Sequence, residues 1–132
     1  MINGESETGI TLFKMDRGVD SGPIVGQKSE PIWNDDTIAT PYERIESRGI
    51  ELIERYLPLL ASGSVKLKYQ DESKRRVMPQ RGPEDGLINW NEKANKIIAK
   101  INAFSPIPGC WFDFLGTRIK VLKAKEVNIS GN

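Results

Sequence analysis

The chain has 132 residues, 38% hydrophobic and 28% charged, with 19 Lys and Arg against 18 Asp and Glu, one Cys and no His. A chain this long can bury ~65% of its unfolded surface, which argues against disorder, and one Cys excludes an intrachain disulfide. The absence of His removes imidazole as base, shuttle or ligand, one thiol cannot build a Cys-rich zinc site, and no run approaches the ~18 apolar residues of a membrane span. The sequence therefore predicts a protein with no metal and no membrane partner, and, lacking a signal-like N-terminal segment, a cytoplasmic one.

In chain order, Asn3-Gly4 has the form of a helix end, with Gly4 suited to the left-handed position past the last turn. Either it opens a loop, or the helix it closes lies upstream of residue 1. Residues 9–15 and 24–28 are β-prone. Between them runs Asp16-Arg17-Gly18-Val19-Asp20-Ser21-Gly22-Pro23, a polar loop of the kind that carries chemistry. Asp20 is its best candidate; the competing use of a loop Asp before Ser-Gly-Pro is to bond its own backbone in a turn.

A helix is predicted over 41–61. Thr40 is the expected N-cap, Pro41 takes the first position and Glu43 completes a capping box. Ile45, Leu52, Ile53, Tyr56, Leu57 and Leu60 repeat at helical spacing, and Gly63 marks the stop. Asp35 and Asp36 precede it as dipole partners or alternative caps.

Residues 64–86 read as an extended linker bearing Lys66, Lys68, Lys74, Arg75, Arg76 and Arg81, with Tyr69 interleaved. The charge divides here. Residues 1–63 hold 6 basic and 11 acidic groups, net −5, and 64–132 hold 13 and 7, net +6. The split is either a pair of compensating solvated faces or a basic surface for a phosphate-bearing partner.

A second helix is expected over 91–104, with Ala94, Ile97, Ile98, Ile101 and Phe104 on one face, ended by Ser105-Pro106-Ile107-Pro108-Gly109. A hairpin follows, strands 110–115 and 118–127 turning at Gly116-Thr117. Ile119 and Val121 are out of phase with Leu122 and Ala124, which predicts a bulge. Cys110 has no His to activate it. Trp33, Trp90 and Trp111 border elements and serve core packing or stacking.

These residues carry a resemblance. Asn3-Gly4-Glu5, Thr8-Gly9-Ile10-Thr11, Met15-Asp16-x-Gly18-Val19-Asp20-Ser21-Gly22-Pro23-Ile24, Gln70-Asp71-Glu72, Pro83-Glu84-Asp85-Gly86-x-Ile88-x-Trp90, Ile101-x-Ala103-Phe104 and Pro106-x-Pro108-Gly109 stand in the order found in formyltransferases that use 10-formyltetrahydrofolate. That family includes methionyl-tRNA formyltransferase and the sugar N-formyltransferases. The resemblance implies an α/β fold: residues 1–63 as the C-terminal part of the catalytic domain (strand-loop-strand plus helix), 64–86 as linker, and 87–132 as a helix plus β-hairpin extension.

In the family a substrate amine attacks the formyl carbon, an oxyanion needs donors and the amine must lose a proton. An Asn, a His and an Asp do this. The resemblance places the Asp at Asp20 and lines the folate pocket with Met15, Asp16, Gly18 and Val19. The family's Asn and His belong to an upstream Asn-x-His segment with no match here, so the isolated chain is expected to be inactive. The implied donor is 10-formyltetrahydrofolate. The favoured acceptor is a nucleotide-linked amino sugar, with aminoacyl-tRNA as the alternative. The implied partners are a second copy bound through the C-terminal hairpin or a missing N-terminal half. A non-catalytic dimerisation or binding module, and a weak polyanion binder through 64–125, are the competing readings.

Overall fold

In the computed structural model, which describes residues 1–127, the chain forms two compact units. One comprises Glu7–Pro31 and Tyr42–Pro79, the other Met1–Ser6, Ile32–Pro41 and the chain from Gln80 onward. The last residues of the expected extension, 128–132, lie outside the described residues.

In the first of these units, β1 (Glu7–Phe13) and β2 (Ile24–Pro31) pair antiparallel, Glu7 opposite Pro31 through Leu12 opposite Gly26. The register slips between Leu12 and Phe13, so that Phe13 faces Ile24. Helix α1 (Ala39–Ala61) lays Leu52 and Tyr56 toward this hairpin. A side chain at Gly26 would collide with the Tyr56 ring, so the glycine is what lets helix and strand approach.

Buried Glu30 of β2 sits between two guanidiniums of α1: its carboxylate accepts from Arg44 Nε at 2.8 Å and from Arg48 Nε at 3.0 Å. Arg48 reaches Glu51 at 3.1 Å, and Glu51 also pairs with Lys28. The hydrogen bond from Arg48, followed by that from Arg44, holds the Glu30 carboxyl below its usual range against the desolvation of its site.

The helix ends as the sequence predicts. Gly63 lies at φ +70°, its amide bonds Leu60 O at 3.1 Å, and the Ser64 amide bonds Leu59 O at 3.0 Å, a complete Schellman motif. Its start differs. Thr40 lies inside the first turn, and its hydroxyl donates to the buried Asp36 carboxylate at 2.6 Å instead of accepting from the backbone, so the Thr40/Glu43 capping box does not form. Asp36 also accepts from the Trp33 amide at 2.8 Å, which makes it the organiser of the turn before α1.

The other unit contains α2 (Ala94–Phe104), β3 (Cys110–Phe114) and β4 (Thr117–Val121). α2 begins three residues later than the expected 91, because the Asn89 side chain accepts from the Asn91 amide and folds that stretch into a turn. β3 and β4 pair in unbroken register, and their turn residues are Leu115 and Gly116, both at positive φ (49° and 78°), the signature of a type I′ hairpin. The expected bulge is absent. The pairing stops at Val121, so Leu122 and Ala124 fall beyond the strand, and their change of phase marks an end and not a slip.

Ile88, Ile101, Phe104 and Cys110 form this unit's buried core, with Ile97, Phe112 and Val121 packed against it. Trp111 donates its indole N–H to Pro83 O at 3.0 Å and carries the Arg118 guanidinium 3.4 Å above its ring. Trp90 meets Phe112 edge-on at 5.2 Å. Trp111 is thus buried in the packing, while Trp90 and Trp33 each remain more than half exposed.

Candidate active-site cleft

Ten residues separate the end of β1 from the start of β2, and the chain must reverse across them. Lys14 N bonds Pro23 O at 2.9 Å to close the loop's neck, and Gly22 is pressed against the Lys14 carbonyl where a side chain would not fit. Within the loop the Asp16 carboxylate accepts from the Gly18 amide at 2.9 Å and the Ser21 hydroxyl at 2.8 Å. Asp16 is therefore the turn former of this segment.

Asp20 takes no part in these side-chain bonds. It lies at φ +56°, a conformation that costs a non-glycine residue free energy and persists only where neighbours enforce it. The enforcing neighbour is Gln70, whose side-chain amide donates to Asp20 O at 2.8 Å and to Gly22 O at 2.7 Å. The Asp20 carboxylate is exposed and makes no hydrogen bond to any described residue.

Gln70 is brought there by the segment after α1. Lys68 exchanges two backbone hydrogen bonds with Ile24, at 2.7 and 2.9 Å, so the stretch expected to be an extended linker adds itself to the start of β2. Asp71 then starts a short 3₁₀ turn over Glu72–Lys74 by accepting from the Ser73 hydroxyl at 2.6 Å and the Ser73 amide at 3.1 Å. These two bonds, the hydroxyl's first, hold the Asp71 carboxyl below its ordinary range. A second 3₁₀ turn spans Pro83–Gly86. Residues 64–86 are thus tethered and turned, and not extended throughout.

The loop and the tethered segment enclose an open cleft of about 720 Å³. Val19, Asp20 and Ser21 form one wall, and Tyr69, Gln70 and the stretch 74–78 another. Of the residues the sequence singled out, Val19 and Asp20 reach this cleft; Met15, Asp16 and Gly18 are exposed on the loop but outside its lining. Lys74 pairs with Asp71 at 3.5 Å and Arg75 with Glu72 at 3.8 Å, whereas Arg76 has no carboxylate within ion-pair distance among the described residues. The cleft therefore offers an unpaired carboxylate, an exposed phenol ring and a surplus of positive charge.

Gln70 is the site residue that local sequence reasoning does not find, since its partners lie 50 and 48 positions away. Tyr69 and the basic residues around it were visible as a composition, without a location. Among the described residues no group of three or more His, Cys, Asp or Glu side chains is spaced to hold a metal ion, and no helix is long and apolar enough to cross a membrane.

Comparison with known proteins agrees with the resemblance read from the motifs. Residues 1–57 match the family model described as formyl transferase, and residues 81–132 match formyl transferase, C-terminal domain. The methionyl-tRNA formyltransferase of Lactococcus lactis subsp. lactis is 34% identical over 130 residues, covering 98% of this chain and 41% of that protein. That of Dictyoglomus thermophilum is 38% identical over 124 residues, 94% of this chain and 40% of that protein.

Among solved structures, the N-formyltransferase from Helicobacter canadensis in complex with folinic acid and dTDP-3-aminofucose superposes with a TM-score of 0.75 at 26% identity, over 92% of this chain and 45% of that one. The methionyl-tRNA formyltransferase from Clostridium thermocellum shares the fold, with a TM-score of 0.71 at 22% identity over 97% of this chain and 55% of that one. The chain spans about two fifths of the length of the curated relatives it matches. With both family models matched in order along an α/β chain, this protein belongs to the formyltransferase family.

Proposed function

We propose that this chain supplies the Asp-bearing loop and the acceptor-side wall of a formyltransferase that moves a formyl group from 10-formyltetrahydrofolate to an amine. The observation that carries the reading is Asp20, held at positive φ by Gln70 with its carboxylate unpaired at the edge of a cationic cleft. The folate donor brings the one-carbon group. Asp20 carries a negative charge beside the reacting amine, where it orients an imidazole contributed by the rest of the site and favours loss of the amine proton. Exposed Met15 and Val19 offer apolar contacts for the flat ring of the donor, while Asp16 and Gly18 hold the loop that presents them.

The acceptor is a nucleotide-linked amino sugar. Tyr69 gives a stacking face and Arg76 an uncompensated charge for a diphosphate. The Helicobacter canadensis enzyme, crystallised with such a sugar, supports this choice. Methionyl-tRNA is the second reading, supported by the identity of 32–38% with curated methionyl-tRNA formyltransferases.

With Asp20 as its only catalytic-position residue and no His, the chain by itself transfers no formyl group. The test is an assay of the purified chain with 10-formyltetrahydrofolate and each acceptor in turn. Absence of turnover is expected. Turnover that Asp20→Asn abolishes would show that these 132 residues suffice, and the division of labour proposed here would be wrong.

A further inference from the structure

Beside the core face of α2, which carries Ile97, Ile101 and Phe104, a second face presents Asn95, Ile98, Ala99 and Asn102 at helical spacing. The segment before α1 is fastened alongside it. Ile38 N donates to Asn102 O at 2.9 Å, and the Asn102 side-chain amide donates to Asn34 O at 3.3 Å. Between them lies an open cavity of about 510 Å³, wholly inside one compact unit and in the ~300–1,000 Å³ range of small-ligand sites. It shares no residue with the cleft of Asp20. Ile98 and Ala99 give it an apolar floor, and Trp33, 55% exposed, stands in its wall. The Trp33 backbone is fixed: its amide donates to the buried Asp36 carboxylate at 2.8 Å, and its carbonyl accepts from the Asp36 amide at 3.1 Å. An exposed indole on a fixed backbone is preorganised for contact.

The polar lining selects among ligands. It holds the carboxamides of Asn34, Asn95 and Asn102 and the carboxylates of Glu5 and Glu126, and no Lys or Arg side chain. Among the described residues neither glutamate pairs with a cation, and the Asn95 carboxamide bonds nothing. A phosphate or carboxylate ligand would meet these carboxylates with no side-chain cation to balance them. A wholly apolar ligand would strip water from the amides and carboxylates and return no hydrogen bond. A ring with one face of C–H groups and an edge of hydroxyls satisfies both conditions. Its C–H face covers the indole, a carboxamide donates to one hydroxyl and accepts from the next, and the carboxylates accept from the rest. We propose that the cavity bounded by Trp33, Asn95, Asn102, Glu5 and Glu126 binds a phosphate-free pyranose sugar, and that a protonated amine on the ring tightens the hold through the two glutamates. The site stands whether or not Asp20 serves formyl transfer.

The test is an amide-resolved NMR titration of the isotope-labelled 132-residue chain with glucosamine, glucose and glucose 6-phosphate, at about pH 6 where the sugar amine is protonated. Glucosamine should give saturable shifts confined to residues 33–34 and 95–102, with a roughly millimolar Kd, glucose should bind several-fold more weakly, and the sugar phosphate should not bind. Trp33→Ala and Asn95→Ala should each weaken glucosamine about tenfold. Asn95 is exposed, so circular dichroism of its variant should match the wild type, and Trp33→Phe, which keeps an aromatic face, should retain binding. Glu5→Gln combined with Glu126→Gln should abolish the preference for glucosamine and leave glucose unchanged. No saturable shift with glucosamine up to about 100 mM overturns the proposal. So does undiminished binding in both Ala variants, and so does equal binding of glucose 6-phosphate. Equal affinity of the wild type for glucose and glucosamine refutes the part given to the glutamates.

Discussion

Replacing Gln70 by Ala isolates the force that holds Asp20 in place. The side-chain amide makes two bonds to the loop, at 2.8 Å to Asp20 O and 2.7 Å to Gly22 O. Each is worth ~1 kcal/mol net of the water that would replace it, so the variant loses ~2 kcal/mol of loop closure. At ~1.4 kcal/mol per decade this raises the open population of the loop roughly 30-fold. The unfavourable backbone of Asp20 adds to the effect, since nothing else in its surroundings bonds its carbonyl.

Native-state amide exchange reads this directly. Residues 17–22 should exchange faster by about that factor, while the amides of α2 and of the β3–β4 hairpin stay unchanged. The Arg17 bond should likewise become more sensitive to trypsin. If exchange rises equally throughout the chain, Gln70 stabilises the unit as a whole; if residues 17–22 do not change, the two hydrogen bonds do not position Asp20. Either result would refute the reasoning.

Glu30→Gln should flatten the acid limb of stability. The Glu30 carboxyl is held below its ordinary value of 4.5, so its contribution is fully present above that value and is lost as pH falls through the lowered one. Thermal melts from pH 6 down to about 3 should therefore fall more steeply for wild type than for the variant. Ile101→Ala removes most of a side chain that is 1% exposed at the centre of its core and should cost ~2–5 kcal/mol in denaturant unfolding. Gly26→Val forces Tyr56 off β2 and should cost ~1–3 kcal/mol, with partial rescue by Tyr56→Ala in the double variant. The Cys110 thiol is fully buried, and burial raises its pKa despite an opposing pull from Lys100. Maleimide labelling of native protein should proceed only at the rate of unfolding.

The sequence made the elements legible where their signals are local. Gly63 specifies the Schellman end of α1 by itself, and Pro106 with Pro108 stops α2. Thr40 misled because a Thr-x-x-Glu pattern cannot reveal that a buried Asp36 four residues upstream will take the hydroxyl. Residues 64–86 lack any period, yet they are ordered by contacts with β2 and the loop that no window of residues contains. The same non-locality hid Gln70, although its motif was on view. The family motif singles out Asp20 as a candidate, and its strained backbone is a fact of structure alone.

The double hydrogen bond between Lys68 and Ile24 sits two residues before Gln70. That short spacing works as a ruler. One residue inserted between Lys68 and Gln70 would carry the amide past both carbonyls, whereas insertions after the turn at Glu72–Lys74 would only lengthen the basic wall of the cleft. The position of Gln70 against the loop is thus set by the Lys68 tether, while the length of the cleft's basic wall is set independently of it.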